Sequence, residues 1–129
     1  MLISIIIPLL NEAESLPELH DWIKTVMNKQ NFDYEIIFID DGSTDDSWVT
    51  IKALKNQNNN IKAIRFSKNY GKSQALHAGF KIAKGDIIFT MDADLQDSPE
   101  EIPEMINILK TKNLDILSGW KKKRYDSVL

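Results

Sequence analysis

Short apolar runs that alternate with segments of helical period restrict the fold of this sequence more than any other feature. Five runs rich in Ile and Phe have the length of a buried strand, at residues 2–7, 34–39, 61–66, 86–91 and 114–118. The segments between them repeat apolar residues three and four positions apart, which predicts helices with one apolar face. Strands alternating with helices form βαβ units. The sequence therefore predicts an α/β fold, a mostly parallel sheet of about five strands flanked by helices.

Polar residues at the expected helix starts agree with this reading. Ser15 comes just before Pro17, and Ser98 just before Pro99. Serine is favoured at the residue that caps a helix, and proline at the first helical position. The first and fourth helices are therefore predicted to begin near these residues.

Length, composition and charge exclude several classes of protein. With 129 residues and no cysteine, the chain is expected to form one domain over 1–129 without disulfides, thiolate metal sites or a thiol nucleophile. Residues 1–60 carry four basic against ten acidic residues, and residues 61–129 carry twelve against nine. A pI near 5.3 lacks the basic excess of a nucleic-acid-binding domain. The longest apolar run, at 2–10, is too short to span a bilayer, so a cytoplasmic location is expected.

Polar residues follow four of the predicted strands, at the point where ligands bind in open parallel sheets. They occupy residues 8–12, 40–43, 92–96 and 121–124. The carboxylates of Asp92 and Asp94 and the amide of Gln96 are oxygen ligands of the kind that Mg²⁺ and Mn²⁺ prefer. A solvated or helix-capping loop would have the same composition, so this pattern alone leaves both interpretations open.

Three further segments also have more than one interpretation. Asp41 could accept hydrogen bonds from a nucleobase or a ribose, whereas the residues after it could form a turn in which Ser43 and Thr44, with Asp45, cap the second helix, and both interpretations can hold together. The glycine turn at 68–72 could bind phosphate, but it lacks the known phosphate-loop spacings, which favours tight helix packing through Gly79. The basic segment 121–124 could contact a diphosphate, an anionic membrane surface or solvent only.

Taken together, four motifs in this order resemble the family 2 glycosyltransferases of GT-A fold. They are SIIIPLLNE at 4–12, IDDGSTD at 39–45, NYG at 69–71 and MDADLQD at 91–97. Within that family, DADLQDSPE at 92–100 and GWKKKR at 119–124 are similar to the polyprenyl-phosphate glycosyltransferases, the group of dolichyl-phosphate mannose synthase. The resemblance implies that this chain forms the Rossmann-like half of the GT-A fold, which binds the nucleotide sugar.

The resemblance also implies roles for individual residues. The donor is expected to contact Pro8, Leu10, Glu12, Ile39, Asp41, Asp92, Ala93, Asp94 and Lys121. Asp94 and Gln96 would hold Mg²⁺ or Mn²⁺ against the diphosphate. Lys121 stands where the family usually has an arginine, so it keeps the charge and loses the bidentate geometry. No general base is evident in the sequence, and a lipid-phosphate acceptor, already anionic, would not require one.

The implied reaction is the transfer of a sugar from a nucleotide sugar, with UDP-glucose favoured, to a polyprenyl phosphate in cell-envelope biosynthesis. Family members are normally longer than this chain, so we expect 129 residues to be the donor-binding part of a longer protein at the cytoplasmic face of a membrane. By itself this part is expected to bind the donor and to transfer sugar slowly or not at all.

Two alternatives compete with this interpretation. One is a nucleotide-binding module without catalysis. The other is a Mg²⁺-dependent phosphoryl-transfer domain, which is disfavoured because the first strand runs into Pro8 and the clustered aspartates follow the second and fourth strands.

Overall fold

A computed structural model describes residues 1–112 of the chain, in which strands and helices alternate strictly. The strands are β1 (Leu2–Leu9), β2 (Asp33–Asp40), β3 (Ile61–Arg65) and β4 (Ile87–Thr90). The helices are α1 (Leu16–Gln30), α2 (Ser47–Gln57), α3 (Lys72–Ile82) and α4 (Glu101–Lys112). The predicted strand at 114–118 lies outside the described residues. Within that described part, no helix is long and apolar enough to cross a membrane.

The four strands form one sheet in the order β3-β2-β1-β4, and all three pairings are parallel. This confirms the predicted α/β class. Strands β1 and β2 lie at the centre and are almost entirely buried, which explains why they contain continuous apolar runs.

Helices cover both faces of the sheet. Alternate residues of a strand point to opposite faces, so Ile5 and Ile7 of β1 join the core formed with α1, α2 and α4, while Ile6 joins the core beneath α3. Helix α3 lies unusually close to the sheet at Gly79, where an added Cβ would approach Ile6 Cγ2 to 2.5 Å. Tight packing is thus confirmed as the role of this glycine.

The pairing between β1 and β4 ends early, and this opens the sheet at one edge. β1 pairs with β2 as far as Leu9 but with β4 only as far as Ile6. The Ile6 carbonyl accepts a hydrogen bond from Met91 N, so Pro8, two residues later, faces the same neighbour. Proline has no N–H to continue the ladder. From β1 the sheet grows in one direction through β2 to β3, and the chain then crosses back to place β4 on the other side of β1. In α/β sheets, ligands bind at such a switch point, here between β1 and β4.

A buried carboxylate fixes the opposite, amino-terminal edge of the sheet. Glu35 Oε2 accepts hydrogen bonds from Ser4 Oγ at 2.6 Å and from Lys84 N at 2.7 Å, and Oε1 pairs with Lys62 Nζ at 2.7 Å. Burial alone would raise the pKa of Glu35. The hydrogen bonds from Lys62, Lys84 and Ser4, with the Lys62 charge, outweigh it and hold the pKa below its ordinary value of 4.5.

Because this pKa is lowered by folding, the ionised Glu35 contributes stability above pH 4.5, and the contribution is lost as the pH falls through the lower, folded value. We expect Glu35→Gln to reduce the free energy of unfolding at pH 7 by about 1–3 kcal/mol and to flatten its decline below pH 4.5. Urea unfolding between pH 3 and about pH 7 measures both effects. The matched control is Glu14→Gln, an exposed carboxylate. Equal acid sensitivity of the wild type and Glu35→Gln would contradict the assignment.

Candidate functional site

A cavity of about 340 Å³ lies at the carboxyl end of the sheet, where β1 and β4 separate. Its walls come from all four strand-to-helix loops, and they comprise Pro8, Leu9, Leu10, Asp41, Asn69, Gly71, Lys72 and Asp92. Parallel strands bring these loops to one edge although their residues are far apart in sequence. Asp41 and Asp92 therefore share one cavity.

Asp41 connects the loop after β2 to the loop before α3. This side chain is nearly buried, and its Oδ1 accepts a hydrogen bond from Tyr70 N at 2.8 Å while Oδ2 accepts one from Gly71 N at 3.0 Å. A carboxylate that accepts backbone N–H groups is a strong, charge-assisted anchor. Asp41 thus shapes the wall of the cavity in addition to facing into it.

Gly42 allows these two loops to meet. It adopts φ +81°, and a Cβ at this position would lie 2.3 Å from the Lys68 carbonyl carbon and 2.5 Å from Asn69 N. Only a residue without a side chain fits both this backbone conformation and this contact.

Reciprocal hydrogen bonds join the loop after β1 to the loop after β2. Asn11 Oδ1 accepts hydrogen bonds from Thr44 N at 2.8 Å and Asp45 N at 3.2 Å, while Asn11 N donates to Ser43 Oγ at 2.8 Å. Asp45 Oδ2 accepts from Ala13 N at 3.2 Å. The two loops therefore hold each other in place.

Of the three residues predicted to cap α2, Ser43 and Thr44 do not do so. The helix begins only at Ser47, and the Ser43 hydroxyl is occupied by the loop contact to Asn11. Asp45 Oδ1 instead accepts hydrogen bonds from Ser47 Oγ at 2.6 Å and Ser47 N at 2.9 Å. The hydroxyl bond is the main reason that the pKa of Asp45 lies below its ordinary value.

The loop after β4 carries the predicted metal ligands. Leu95 adopts a left-handed φ of 68°, which bends the chain so that Asp94 and Gln96 belong to one tight turn, with Gln96 N donating to Asp94 Oδ1 at 3.1 Å. Both side chains are exposed. Asp92, at the start of the loop, pairs with Lys72 Nζ at 2.8 Å across the cavity.

The structure places the predicted site residues in three groups. Four lie in the cavity wall, namely Pro8, Leu10, Asp41 and Asp92. Glu12, Ala93, Asp94 and Gln96 lie on the adjoining loops outside the wall. Ile39 is fully buried in the core beneath α3 instead of facing the cavity, because its position in β2 points it at Gly79. Lys121 and the rest of the basic segment lie outside the described residues.

Sequence reasoning missed four side chains that organise this edge. Asn11, Lys72 and Asp97 stood out only as members of the segments 4–12, 68–72 and 91–97, and Ser15 only as a helix cap. A partial signal existed for Asn11, since asparagine is among the few residues that readily adopt a left-handed conformation, and it does so in this loop with φ 55°.

The side-chain oxygens of the loop after β4 are suitable ligands for a cation such as Mg²⁺. Among residues 1–112, no three acidic or histidine side chains come close enough together to hold a metal by themselves. Mg²⁺ usually takes only one or two protein ligands and completes its shell with phosphate oxygens and water. An exposed carboxylate and an exposed amide within one turn meet that requirement.

Solved structures share this fold. A mannosyltransferase from Pyrobaculum calidifontis, in complex with GDP-Man and Mn²⁺, matches 83% of this chain and 32% of its own with a TM-score of 0.71 and 23% identity. S. aureus TarS 1-349 in complex with UDP-GlcNAc matches 86% of this chain and 32% of its own at a TM-score of 0.68 and 23% identity.

A third similar structure is glucosyl-3-phosphoglycerate synthase from Mycobacterium tuberculosis in complex with UDP. It matches 83% of this chain and 39% of its own, with a TM-score of 0.66 and 26% identity. The chain thus spans about a third of the length of these structures.

The family assignment rests on the sequence as well as on the fold. The sequence model of glycosyl transferase family 2 matches residues 4–128, which is nearly the whole chain and includes the loops that form the cavity. The chain therefore belongs to glycosyl transferase family 2.

Proposed function

We propose that residues 1–129 are the donor-binding domain of a metal-dependent glycosyltransferase that moves a sugar from a nucleotide sugar to a polyprenyl phosphate. The observation that carries this proposal is the cavity shared by Asp41 and Asp92 at the point where the sheet opens. Family membership and the nucleotide-bound structures of similar fold support it. UDP-glucose is the donor that we favour, from the resemblance to the polyprenyl-phosphate subgroup.

The cavity offers different chemistry at its two ends. Pro8 and Leu10 provide apolar surface against which a nucleobase would pack, and Asp41 provides carboxylate oxygens for the N–H or O–H donors of a nucleoside. Asp92 follows β4, which lies on the other side of β1 from β2, and it pairs with Lys72. In this arrangement the nucleoside binds beside β2 and the diphosphate beside β4.

Charge explains why a cation is part of the proposal. Asp41 and Asp92 both line the cavity, and Lys72 supplies one positive charge beside Asp92. A diphosphate adds further negative charge, so additional positive charge is needed for it to bind. Asp94 and Gln96 would hold Mg²⁺ or Mn²⁺ there, and such a cation stabilises the charge that develops on a departing nucleoside diphosphate.

The proposed acceptor agrees with the side chains present. Within residues 1–112, no histidine lines this cavity, and its carboxylates are already engaged with Tyr70, Gly71 and Lys72. A lipid phosphate is an anion before it reacts and therefore needs no strong base to activate it. Association of the longer protein with the cytoplasmic face of a membrane would bring this acceptor to the domain.

We expect Asp94→Ala to abolish the effect of metal on nucleotide binding. The wild type should bind UDP more tightly with Mn²⁺ than without it, whereas Asp94→Ala should bind with the metal-free affinity under both conditions, because the carboxylate ligand is gone. Calorimetric titration with UDP, GDP and their sugar conjugates measures this and ranks the donors. Asp46→Ala, which removes an exposed carboxylate outside the cavity, is the matched control.

The titration can also contradict the proposal. Wild-type binding that is equally tight with and without Mn²⁺ and Mg²⁺ would remove the metal from the mechanism. Binding to none of the nucleotides would overturn the donor site itself. Transfer to a polyprenyl phosphate, tested with a longer form of the protein, separates a transferase from a nucleotide-binding module without catalysis.

A further inference from the structure

The loop after β4 carries the proposed metal ligands, Asp94 and Gln96. Its main chain forms hydrogen bonds with two side chains that are not themselves proposed to contact the metal or the nucleotide sugar. Asp92 N donates a hydrogen bond to Asp97 Oδ2 at 2.9 Å. One residue later, the Ala93 carbonyl accepts one from Ser15 Oγ at 2.6 Å. The segment between these two bonds immediately precedes Asp94.

Ser15 is placed where a helix cap is expected, yet it does not cap α1. It occupies the capping position, but its side chain makes no cap hydrogen bond. Its hydroxyl has one proton to donate. The shortest contact, to the Ala93 carbonyl, crosses from the start of α1 to the loop after β4, and the contacts to Glu12 are longer, at 3.0 Å and 3.1 Å. The hydroxyl thus links two loops of the site.

Burial makes these two bonds important. Ala93 is only 4% exposed and Asp97 only 9% exposed, so water has little access to the Ala93 carbonyl and to the carboxylate that accepts the hydrogen bond of Asp92 N. An unpaired polar group in such a position costs about 1–3 kcal/mol. Without Ser15 or Asp97, the loop would move to recover a partner, and the carboxylates of Asp92 and Asp94 would move with it.

We propose that Ser15 and Asp97 are positioning residues for the diphosphate and metal end of the donor site. This inference rests on the proposed function, because it concerns the cation held by Asp94 and Gln96. Neither residue touches that cation in the proposal. They fix the backbone from which its ligands project, as outer hydrogen-bond partners do in other metal sites.

The test measures how strongly Mn²⁺ increases the affinity for UDP, by calorimetry on the 129-residue chain. We expect Ser15→Ala and Asp97→Ala each to reduce this increase about tenfold. Both variants should reduce the metal-free affinity by a smaller factor than they reduce the metal effect, since the nucleoside end is not touched. Ser15→Thr and Asp97→Asn keep an oxygen at each position and should restore the metal effect. Ser73→Ala, an exposed hydroxyl on α3, is the matched control.

Hydrogen exchange of the Asp92 amide is a second measurement that requires no ligand. Exchange should accelerate in Asp97→Ala and return towards wild type in Asp97→Asn. Unchanged exchange in Asp97→Ala would overturn the inference even if that variant bound UDP poorly, since the loss would then have another cause.

The outcomes separate this inference from the function on which it rests. If Asp94→Ala loses the metal effect and both alanine variants keep it, the positioning role is overturned and the function stands. If the wild type shows no metal effect, the metal-dependent function is overturned and the positioning role with it. If Ser15→Thr or Asp97→Asn is as defective as the alanine variant, the hydrogen bond is not the cause.

Discussion

Replacing Gly42 with alanine is expected to destabilise the protein by about 2–5 kcal/mol, the largest loss of stability that we predict for this chain. Two costs combine. An alanine with φ +81° is strained, and its Cβ would lie 2.3 Å from the main-chain carbonyl carbon of Lys68, which cannot rotate away as a side chain would. The loops on both sides of the cavity must separate, so nucleotide binding should be lost together with stability.

Gly71 provides a control that separates the two costs. It also has a positive φ, of +102°, but an added Cβ there would meet nothing within 4 Å. Gly71→Ala should therefore show only the conformational cost, about 1–3 kcal/mol. Urea unfolding of both variants gives the comparison. If Gly42→Ala proves no more destabilising than Gly71→Ala, contact between the two loops does not constrain residue 42.

Replacing Asp41 with alanine is expected to weaken nucleotide binding at least about a hundredfold, or about 2.7 kcal/mol. The carboxylate lines the cavity and also accepts hydrogen bonds from Tyr70 N and Gly71 N. Its removal leaves Tyr70 N unpaired at the wall of the cavity and Gly71 N with Asn69 Oδ1 as its acceptor, and each charge-assisted bond contributes about 1.5–3 kcal/mol. Titration with UDP and GDP measures the loss.

Asp41→Asn distinguishes the anchoring role of this residue from a direct contact with the nucleotide. The single amide oxygen can still accept from Tyr70 N and, as Oδ1 does at 3.3 Å, from Gly71 N, so part of the anchoring should remain while the negative charge is lost. If the nucleotide uses the charge, Asn will bind as poorly as Ala; if Asp41 acts only through the loop, Asn will bind more tightly than Ala. Wild-type binding by Asp41→Ala would exclude both roles.

The architecture followed from the sequence because burial leaves a direct signature in it. Strands β1 and β2 are covered on both faces, so they consist of uninterrupted apolar residues, and the helices between them show one-sided spacing. The gathering of the strand-to-helix loops at one cavity followed as well, since parallel strands bring their carboxyl ends to one edge. For this reason the cavity wall includes Pro8, Leu10, Asp41 and Asp92.

The details of the site depend on contacts between distant residues, which local patterns do not contain. Serine is a typical capping residue, and Ser15 and Ser43 both precede predicted helices. In the folded chain, however, the hydroxyl of Ser15 bonds to the loop after β4 and that of Ser43 to the loop after β1. Ile39 ends an apolar run one residue before the polar turn, and only the alternation of side chains along β2 decides that it faces α3. The ion pair between Lys72 and Asp92 joins residues twenty positions apart.

The hydrogen bonds between the loops determine how this site could be altered. Asn11 bonds to the backbone of residues 44 and 45, Asp41 to that of 70 and 71, and Ser15 to that of 93. A loop grafted alone from a homologue with different donor preference would arrive without the side chains that hold it. Engineering of this domain would therefore have to exchange interacting loops as pairs, and natural divergence in specificity would face the same requirement.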